Sequence, residues 1–230
     1  MDDFDHKTLG TMMAELARSF TTPADFDHTL HAVTKAAVEL IPGAASADIL
    51  TIAGKGKFQS LAPTCALPAE LDAVQVRYGQ GPCVDAAVDG AVVRSDDLES
   101  ETRWPEYTRE AVGSGVRSAV SFRLYTHTDI VGALNVLAMT AHAFDDESVT
   151  IGEVLAAHAA IAILADRREL QLRSALVNRD LIGQAKGMLM ERFCISADPA
   201  FTMLVKLSQQ SNTPLAEVAK KVVDDGSHRR

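Results

Sequence analysis

Cysteine is scarce in this chain and poorly placed for cross-linking. Its 230 residues include three, Cys65, Cys83 and Cys194, widely spaced and odd in number. That argues against a disulfide framework and for a reducing cytoplasm. None belongs to a Cys-x-x-Cys pair, which argues against a zinc site, and no haem, flavin or metal motif is visible, so no cofactor is expected. Long apolar runs are missing too. The longest, residues 154–165, carries His158 and falls short of the roughly 20 residues that span a bilayer. The opening Met1-Asp2-Asp3-Phe4-Asp5 is acidic where a secretory signal would be basic, and no apolar core follows it. A cytoplasmic protein without a membrane segment is expected.

Positive charge is also lacking overall, with a net of −9, which taken alone argues against a nucleic-acid binder. Its distribution changes that reading. Residues 166–230 hold 11 Lys and Arg against 8 Asp and Glu, a net of +3, whereas residues 1–165 hold 11 against 23, a net of −12. An acidic body with a mildly basic tail suggests two units with different partners. The tail is too weakly charged to hold polyanions indiscriminately, so shape and specific contacts must contribute to anything it binds.

What is present is an apolar content of 47%, enough for a packed core, and a readable order of elements. Residues 5–20 and 24–41 have helical periodicity, with Phe26, Leu30, Val33, Ala37 and Leu40 on one face, Asp25 near the start and Pro42-Gly43 at the end. Residues 47–52 and 57–61 suggest strands around a Gly54-Lys55-Gly56 hairpin turn. A helix over 67–78, a short one over 82–88 with Pro82 first, a strand over 91–94 and a helix from Arg103-Trp104-Pro105 to about Val112 follow. Strands over 117–125 and 130–138, separated by a polar turn at 126–129, complete an α+β domain with an antiparallel sheet. From about Asp145 the pattern is helical to the end. Residues 149–165 are apolar on nearly every face, as for a helix packed on a sheet and on a second partner. Residues 166–180 are charged yet retain Leu170, Leu172, Leu176 and Val177, and no Gly or Pro interrupts 154–180. One helix of about 40 residues is expected, and a partner helix with it; a parallel homodimer is the preferred reading.

The tail is the most informative stretch. Ile182, Ala185, Leu189 and Phe193 form an apolar stripe, while Arg179, Gly183, Lys186, Gly187 and Met190 gather on the adjacent flank at about 100° per residue. Two glycines inside a helix cost roughly 1 kcal/mol each relative to alanine. Either close helix packing or the close approach of a phosphate backbone, guided by Arg179 and Lys186, compensates that cost. From position alone packing is the first choice. Asp198-Pro199 and Thr213-Pro214 each supply a cap followed by proline, opening two further helices. The first buries Ala200, Phe201, Leu204 and Ser208 and turns Thr202, Lys206, Gln209 and Gln210 outward. The second buries Leu215, Val218, Ala219 and Val222, leaves Lys220 and Lys221 outside, and stops at Asp225-Gly226.

The run Asp180-Leu181-Ile182-Gly183-Gln184-Ala185-Lys186-Gly187-Met188-Leu189-Met190-Glu191-Arg192, with Asp198-Pro199-Ala200-Phe201, Leu204, Lys206, Ser208, Leu215 and Val218-Ala219, resembles the ANTAR domain. The resemblance implies a dimeric RNA-binding antitermination module of three helices that grips paired stem-loops in nascent transcripts. It implies RNA-facing positions at Ala185, Lys186, Gly187, Lys206, Gln209, Asn212 and Lys220, to which the basic flank adds Arg179. One departure is Lys206, where the family often has arginine: lysine meets a phosphate but lacks the bidentate, stacking guanidinium.

Upstream, Gly79-Gln80-Gly81-Pro82-Cys83-Val84-Asp85-Ala86, Asp96-Asp97-Leu98, Arg103-Trp104-Pro105, Gly115-Val116-Arg117-Ser118 and Val131-Gly132-Ala133-Leu134-Asn135-Val136 resemble the GAF domains that precede ANTAR in actinobacterial proteins. The resemblance covers roughly residues 24–165 and implies a ligand pocket between the sheet and the 67–88 segment, its occupant unidentified. The expected organisation is therefore an N-terminal helix (1–23), a GAF sensor domain (24–165) and an ANTAR module with its coiled-coil-like linker helix (166–230), a regulator and not an enzyme. Two other readings stay open. The tail is read alternatively as a helix-turn-helix for duplex DNA, although 215–223 presents only Glu217, Lys220 and Lys221. The GAF domain is read alternatively as a thiol reductase, because Cys83 beside Pro82 sits near a helix start that would favour its thiolate, with Cys65 upstream; a small apolar residue in a turn is the simpler account. His158 reads as a core or dimer-seam residue and Trp104-Pro105 as a structural plug. Phe144-Asp145-Asp146-Glu147 is a fragment of a cyclic-nucleotide signature but more simply starts a helix.

Overall fold

The computed structural model describes residues 26–53, 57–88, 91–125 and 130–227. The expected helix over 5–20, Asp25, the Gly54-Lys55-Gly56 turn and the 126–129 turn lie outside the described residues. In chain order the elements are α1 (Phe26–Leu40), β1 (Ser46–Ala53), β2 (Lys57–Leu61), α2 (Ala66–Tyr78), α3 (Pro82–Val88), β3 (Val92–Ser95), α4 (Pro105–Gly113), β4 (Ser118–Tyr125), β5 (Ile130–Ala138), α5 (Asp146–Phe193), α6 (Ala197–Ser211) and α7 (Leu215–Ser227). Contacts divide the chain into two units, one ending at Asp166 and the other beginning at Arg167.

The first unit is a five-stranded sheet in the order β2-β1-β5-β4-β3, antiparallel throughout, as the expected α+β class requires. Alternation along each strand sorts its side chains to two faces. Ala47 and Ile49, Val120, Phe122 and Leu124, and Leu134, Val136 and Ala138 share one core with α1 and the start of α5. Leu50, Ala119, Ala133 and Leu137 face the other way into a second core with α2, α3 and α4. Helices on both faces explain why the strands read as nearly continuous apolar runs.

Two glycines permit the closest approaches. Gly132 has φ +154°, and a Cβ there would stand 2.1 Å from the Leu50 carbonyl oxygen on β1. Gly152 brings α5 directly onto the aromatic ring of Phe122. Asp145 caps α5, its Oδ1 accepting from the backbone N–H and the hydroxyl of Ser148, both at 2.9 Å. That is a helix start, in keeping with the reading of Phe144-Asp145-Asp146-Glu147. Along α5, Ile151, Leu155, Ala159 and Ala162 are buried, with Ala156, Ala160 and Ile163 beside them, whereas Val154 and Ile161 are exposed. The sheet covers one face of this apolar helix and leaves a second uncovered.

Helix α5 runs 48 residues without interruption, longer than the 40 or so expected, because Gly152, Gly183 and Gly187 are absorbed into it. Among the described residues it is the one helix long and apolar enough to cross a membrane, although half of its most apolar window is buried within the protein. The 154–165 run alone falls short of a span; the flanking residues supply the added length.

The second unit holds its own small core: Ala185, Leu189, Ala200, Leu204, Val218 and Ala219 are buried, with Ile182, Met190, Ile195 and Leu215 packed around them. The second unit differs from expectation in three places. Ser196, not Asp198, is the N-cap of α6; Pro199 still falls in the first turn, where its missing N–H leaves no bond unmade. Phe201 is 43% exposed, because Ala200 and Leu204, one turn apart, already face the core and Phe201 lies round the helix from them. Helix α7 runs through the expected stop at Asp225-Gly226 to Ser227, glycine being tolerated in a helix's last turn.

Candidate nucleic-acid interface and ligand cavity

Two tight reversals position the second unit's surface. After α5, Cys194 takes a left-handed φ of 53°, and the Ile195 N–H reaches back to the Met190 carbonyl at 3.2 Å, a six-to-one closure of the helix end. After α6 the same device recurs with Asn212, at φ 48°, and the Thr213 N–H bonded to the Ser208 carbonyl at 3.1 Å. Ser208 then donates its hydroxyl to the Thr213 carbonyl at 2.6 Å. Asparagine tolerates the left-handed conformation better than most side chains. The structure therefore gives Asn212, expected at the RNA, a helix-capping role.

The other expected residues separate into surface and core. Arg179, Gly187, Lys206, Gln209 and Lys220 are exposed, and Lys186 is half-buried. Helical spacing puts Arg179, Gly183, Lys186 and Gly187 on one flank of α5, and Thr202, Lys206 and Gln209 on one face of α6. Ala185 does not join them. It is 0% exposed, at the centre of the second unit's core, so a surface role for it is corrected to packing.

Gly183 and Gly187 reverse the other expectation. A Cβ built on either meets nothing within 4 Å. Close packing among the described residues therefore does not account for two helical glycines. Sequence reasoning also missed two exposed rings, Phe193 and Phe201, the first with the Arg192 guanidinium 5.9 Å from its centroid. The sequence puts Phe193 on an apolar stripe and Phe201 on a buried face, and periodicity alone holds no signal that moves either ring out.

In the first unit the expected pocket between the sheet and the 67–88 segment is nearly closed, a cavity of about 10 Å³ walled by Asp48, Asp72, Gln75, Tyr107, Ser121 and Asn135. A space of that size holds no more than one water-sized group. A larger groove, about 490 Å³, lies on the opposite face between β4 and α5, beside Phe122, Tyr125, Ile161 and Leu164.

A buried polar cluster lines the closed cavity. Ser121 Oγ donates to Asn135 Oδ1 at 2.7 Å, which turns the Asn135 amide so that Nδ2 donates to Asp48 Oδ1 at 3.1 Å and to Asp72 Oδ1 at 3.2 Å. Ser60 Oγ donates to Asp48 Oδ2 at 2.9 Å, and Gln75 Nε2 to Asp72 Oδ1 at 3.2 Å. Gln75 Oε1 in turn accepts the Cys83 N–H at 2.9 Å. Burial, then the neighbouring Asp48, pushes the Asp72 carboxyl up to about 10. Burial likewise raises Asp48.

The same surroundings settle the state of Cys83. Its thiol is buried, and burial together with Asp72 and Asp48 holds it well above its ordinary range, opposite to the thiolate that the helix start alone suggests. Trp104 is buried as the plug expected, its Nε1 donating to Asp85 Oδ2 at 2.8 Å and its ring edge-on to Tyr107. His158 is half-buried on α5, its Nδ1 2.8 Å from the Val154 carbonyl oxygen.

Comparison with known proteins places both units. The GAF domain profile matches residues 23–164, and the ANTAR domain profile matches residues 170–223. Among curated proteins none matches the chain. Of solved structures, the GAF domain of a phosphoenolpyruvate-protein phosphotransferase from Coxiella burnetii is similar at TM-score 0.55 and 15% identity, over 72% of this chain and 98% of that one. A phycocyanobilin-bound GAF domain from a cyanobacterial phytochrome is similar at TM-score 0.55 and 14% identity, over 70% and 96%. A free methionine-R-sulfoxide reductase from Neisseria meningitidis, in complex with its substrate, is similar at TM-score 0.50 and 16% identity, over 70% and 89%. At these identities the likeness concerns the fold alone.

Proposed function

The chain belongs to the GAF domain family, its GAF domain followed by an ANTAR domain, and from that premise we propose that it is a homodimeric transcription antiterminator that binds paired stem-loops in nascent RNA. ANTAR domains are RNA-binding antitermination modules, GAF domains sense signals, and the combination is typical of regulators. The observation that carries the finer reading is the open flank of α5, where Gly183 and Gly187 leave the helix backbone bare beside Arg179 and Lys186. A bare backbone flanked by cations suits a phosphate chain, which needs close approach and positive charge at one place.

Arg179, Lys186 and Gly187 on α5, Lys206, Gln209 and Asn212 on α6, and Lys220 on α7 form the proposed RNA surface. The exposed rings of Phe193 and Phe201 add faces on which unpaired loop bases stack. Exposed Leu170, Leu172, Leu176 and Val177 on α5 support a partner helix from a second copy, since a single solvated helix has no use for four bare apolar side chains. In this reading residues 24–165 sense a small ligand, residues 166–230 bind the RNA, and the protein works in the cytoplasm, where transcripts emerge.

The test is a gel shift with RNA carrying two adjacent hairpins. The full chain retards it, and Lys186→Ala and Lys206→Ala each weaken the complex. Unchanged binding in both variants removes the assigned surface. No binding to any paired-hairpin RNA removes the function, and ready displacement by duplex DNA replaces it with a DNA-binding one.

A further inference from the structure

The groove of about 490 Å³ between β4 and α5 has no cover among the described residues. The ring of Phe122 lies at its base, and Ala156, Ala157, Ala160, Ile161 and Leu164 form its α5 wall. Ile161 is 57% exposed. Three alanines on that wall let another helix approach α5 to about 8 Å between axes. They also leave room for large apolar side chains on the helix that comes.

The chain carries such a stretch just ahead of α1. Residues 1–25 lie outside the described residues, but their sequence has a clear pattern. Leu9, Met12, Met13, Leu16 and Phe20 recur at i, i+3, i+4, i+7 and i+11, one face of a helix, while Lys7, Thr11, Glu15 and Arg18 fall on the opposite face. A lone helix of this length is marginal in water, so five large apolar side chains on one face call for a surface to cover them. The GAF profile begins at residue 23, and the family match assigns this stretch no place.

The point where the described chain begins brings stretch and groove together. Gly43, after the end of α1, stands against Ala143, ahead of α5. Both helices pack on one face of the sheet, so α1 runs toward that end of it and α5 runs away. The 15 residues of α1 cover about 22 Å, which puts Phe26 level with about residue 161 of α5, beside the groove. Between Leu16 and Phe26 an extended chain reaches about 30 Å. That is enough to pass over α5, a helix about 10 Å across.

We propose that residues 5–20 form an amphipathic helix that docks in this groove of its own chain, with Leu9, Met12, Met13 and Leu16 against Phe122 and the alanines of α5. The docked helix covers Ala157, Ile161 and Leu164, part of the face of α5 that the sheet leaves bare. A second copy then finds that groove filled, and pairing falls to Leu170, Leu172, Leu176 and Val177. This consequence rests on the homodimer proposed above; the docking itself does not.

The experiment is disulfide trapping in the full chain carrying Cys65→Ser and Cys194→Ser, which leaves the buried Cys83 as the native thiol. Ala157→Cys, at an exposed position, is combined in turn with Met12→Cys, Met13→Cys and Leu16→Cys, and with Thr11→Cys as the polar-face control. Copper-catalysed oxidation is followed by non-reducing electrophoresis and peptide mass mapping, because a disulfide closes only where Cβ atoms come within about 4.5 Å. At least one apolar-face pair is expected to close within a chain, while the Thr11→Cys pair stays reduced. Closure between chains places the helix in a second copy's groove and overturns the proposal. No closure in any pair, or closure of the Thr11→Cys pair as fast as the others, overturns the docking altogether. The gel shift with paired-hairpin RNA is read separately, and its failure leaves this result standing.

Discussion

Gly152 on α5 sits over the ring of Phe122 on β4 so closely that a Cβ at residue 152 would stand 2.0 Å from Cζ. The ring is itself buried, in the core it shares with Val120 and Leu124. Gly152→Ala therefore forces α5 off the sheet, and overpacking of this kind costs about 1–3 kcal/mol. Chemical denaturation of the variant checks it. A midpoint equal to or above the wild type would mean the ring is loosely held.

Glycine has the opposite meaning further along the same helix. Since a Cβ at residue 183 or 187 meets nothing, Gly183→Ala and Gly187→Ala each stabilise the second unit, by about 1 kcal/mol from helix propensity. Under the proposed function both weaken RNA binding, because the added methyl holds the phosphate chain away from the backbone. Melting curves and a gel shift on the same samples read the two effects. Gains in both stability and affinity would show that the bare flank is not the contact.

The thiols are ranked by their surroundings. Cys65 and Cys194 are exposed and Cys83 is buried, its thiol kept protonated by burial and by the nearby carboxyl pair. Iodoacetamide at pH 8 is expected to label the two exposed residues within minutes and Cys83 only on unfolding. Peptide mass mapping reads the order. Early labelling of Cys83 would reopen the thiol-reductase reading.

Stability depends on pH through Asp72 with a sign that follows from its direction of shift. A carboxyl raised from its ordinary range to about 10 in the folded state binds more protons folded than unfolded across the whole interval between. Stability is then fully present below about pH 4 and declines as pH rises toward 10, by at most about 1.4 kcal/mol per unit. Asp72→Asn removes that decline. The variant and the wild type are expected to melt together near pH 4, with the variant increasingly the more stable above it. A wild-type advantage at pH 9 would show that Asp72 is ionised in the fold.

Much of the fold can be read from local punctuation. Pro82, Trp104-Pro105 and Asp145 mark helix starts that the structure keeps to within a residue or two, and the alternation in β4 and β5 marks the strands. What local pattern leaves out is the long-range arrangement. Asp48, Asp72 and Asn135 come from three separate elements, and no spacing links them until the sheet brings β1 beside β5. The same limit applies in the second unit. A 100° wheel set Ala185 beside Lys186 and Gly187, but only the positions of α6 and α7 decide which of those neighbours is covered. Ser196 took the cap from Asp198 for a related reason: both residue types cap well, and the turn at Cys194 chooses between them.

The sheet ends on its two shortest strands, β2 with five residues and β3 with four. Exposed strand edges are templates on which another chain can add, and short ones offer few unpaired N–H and C=O groups. Strand-to-strand aggregation therefore has little purchase here even when the protein is crowded. Under the proposed function, copies pair through their helices without feeding a β-type side reaction.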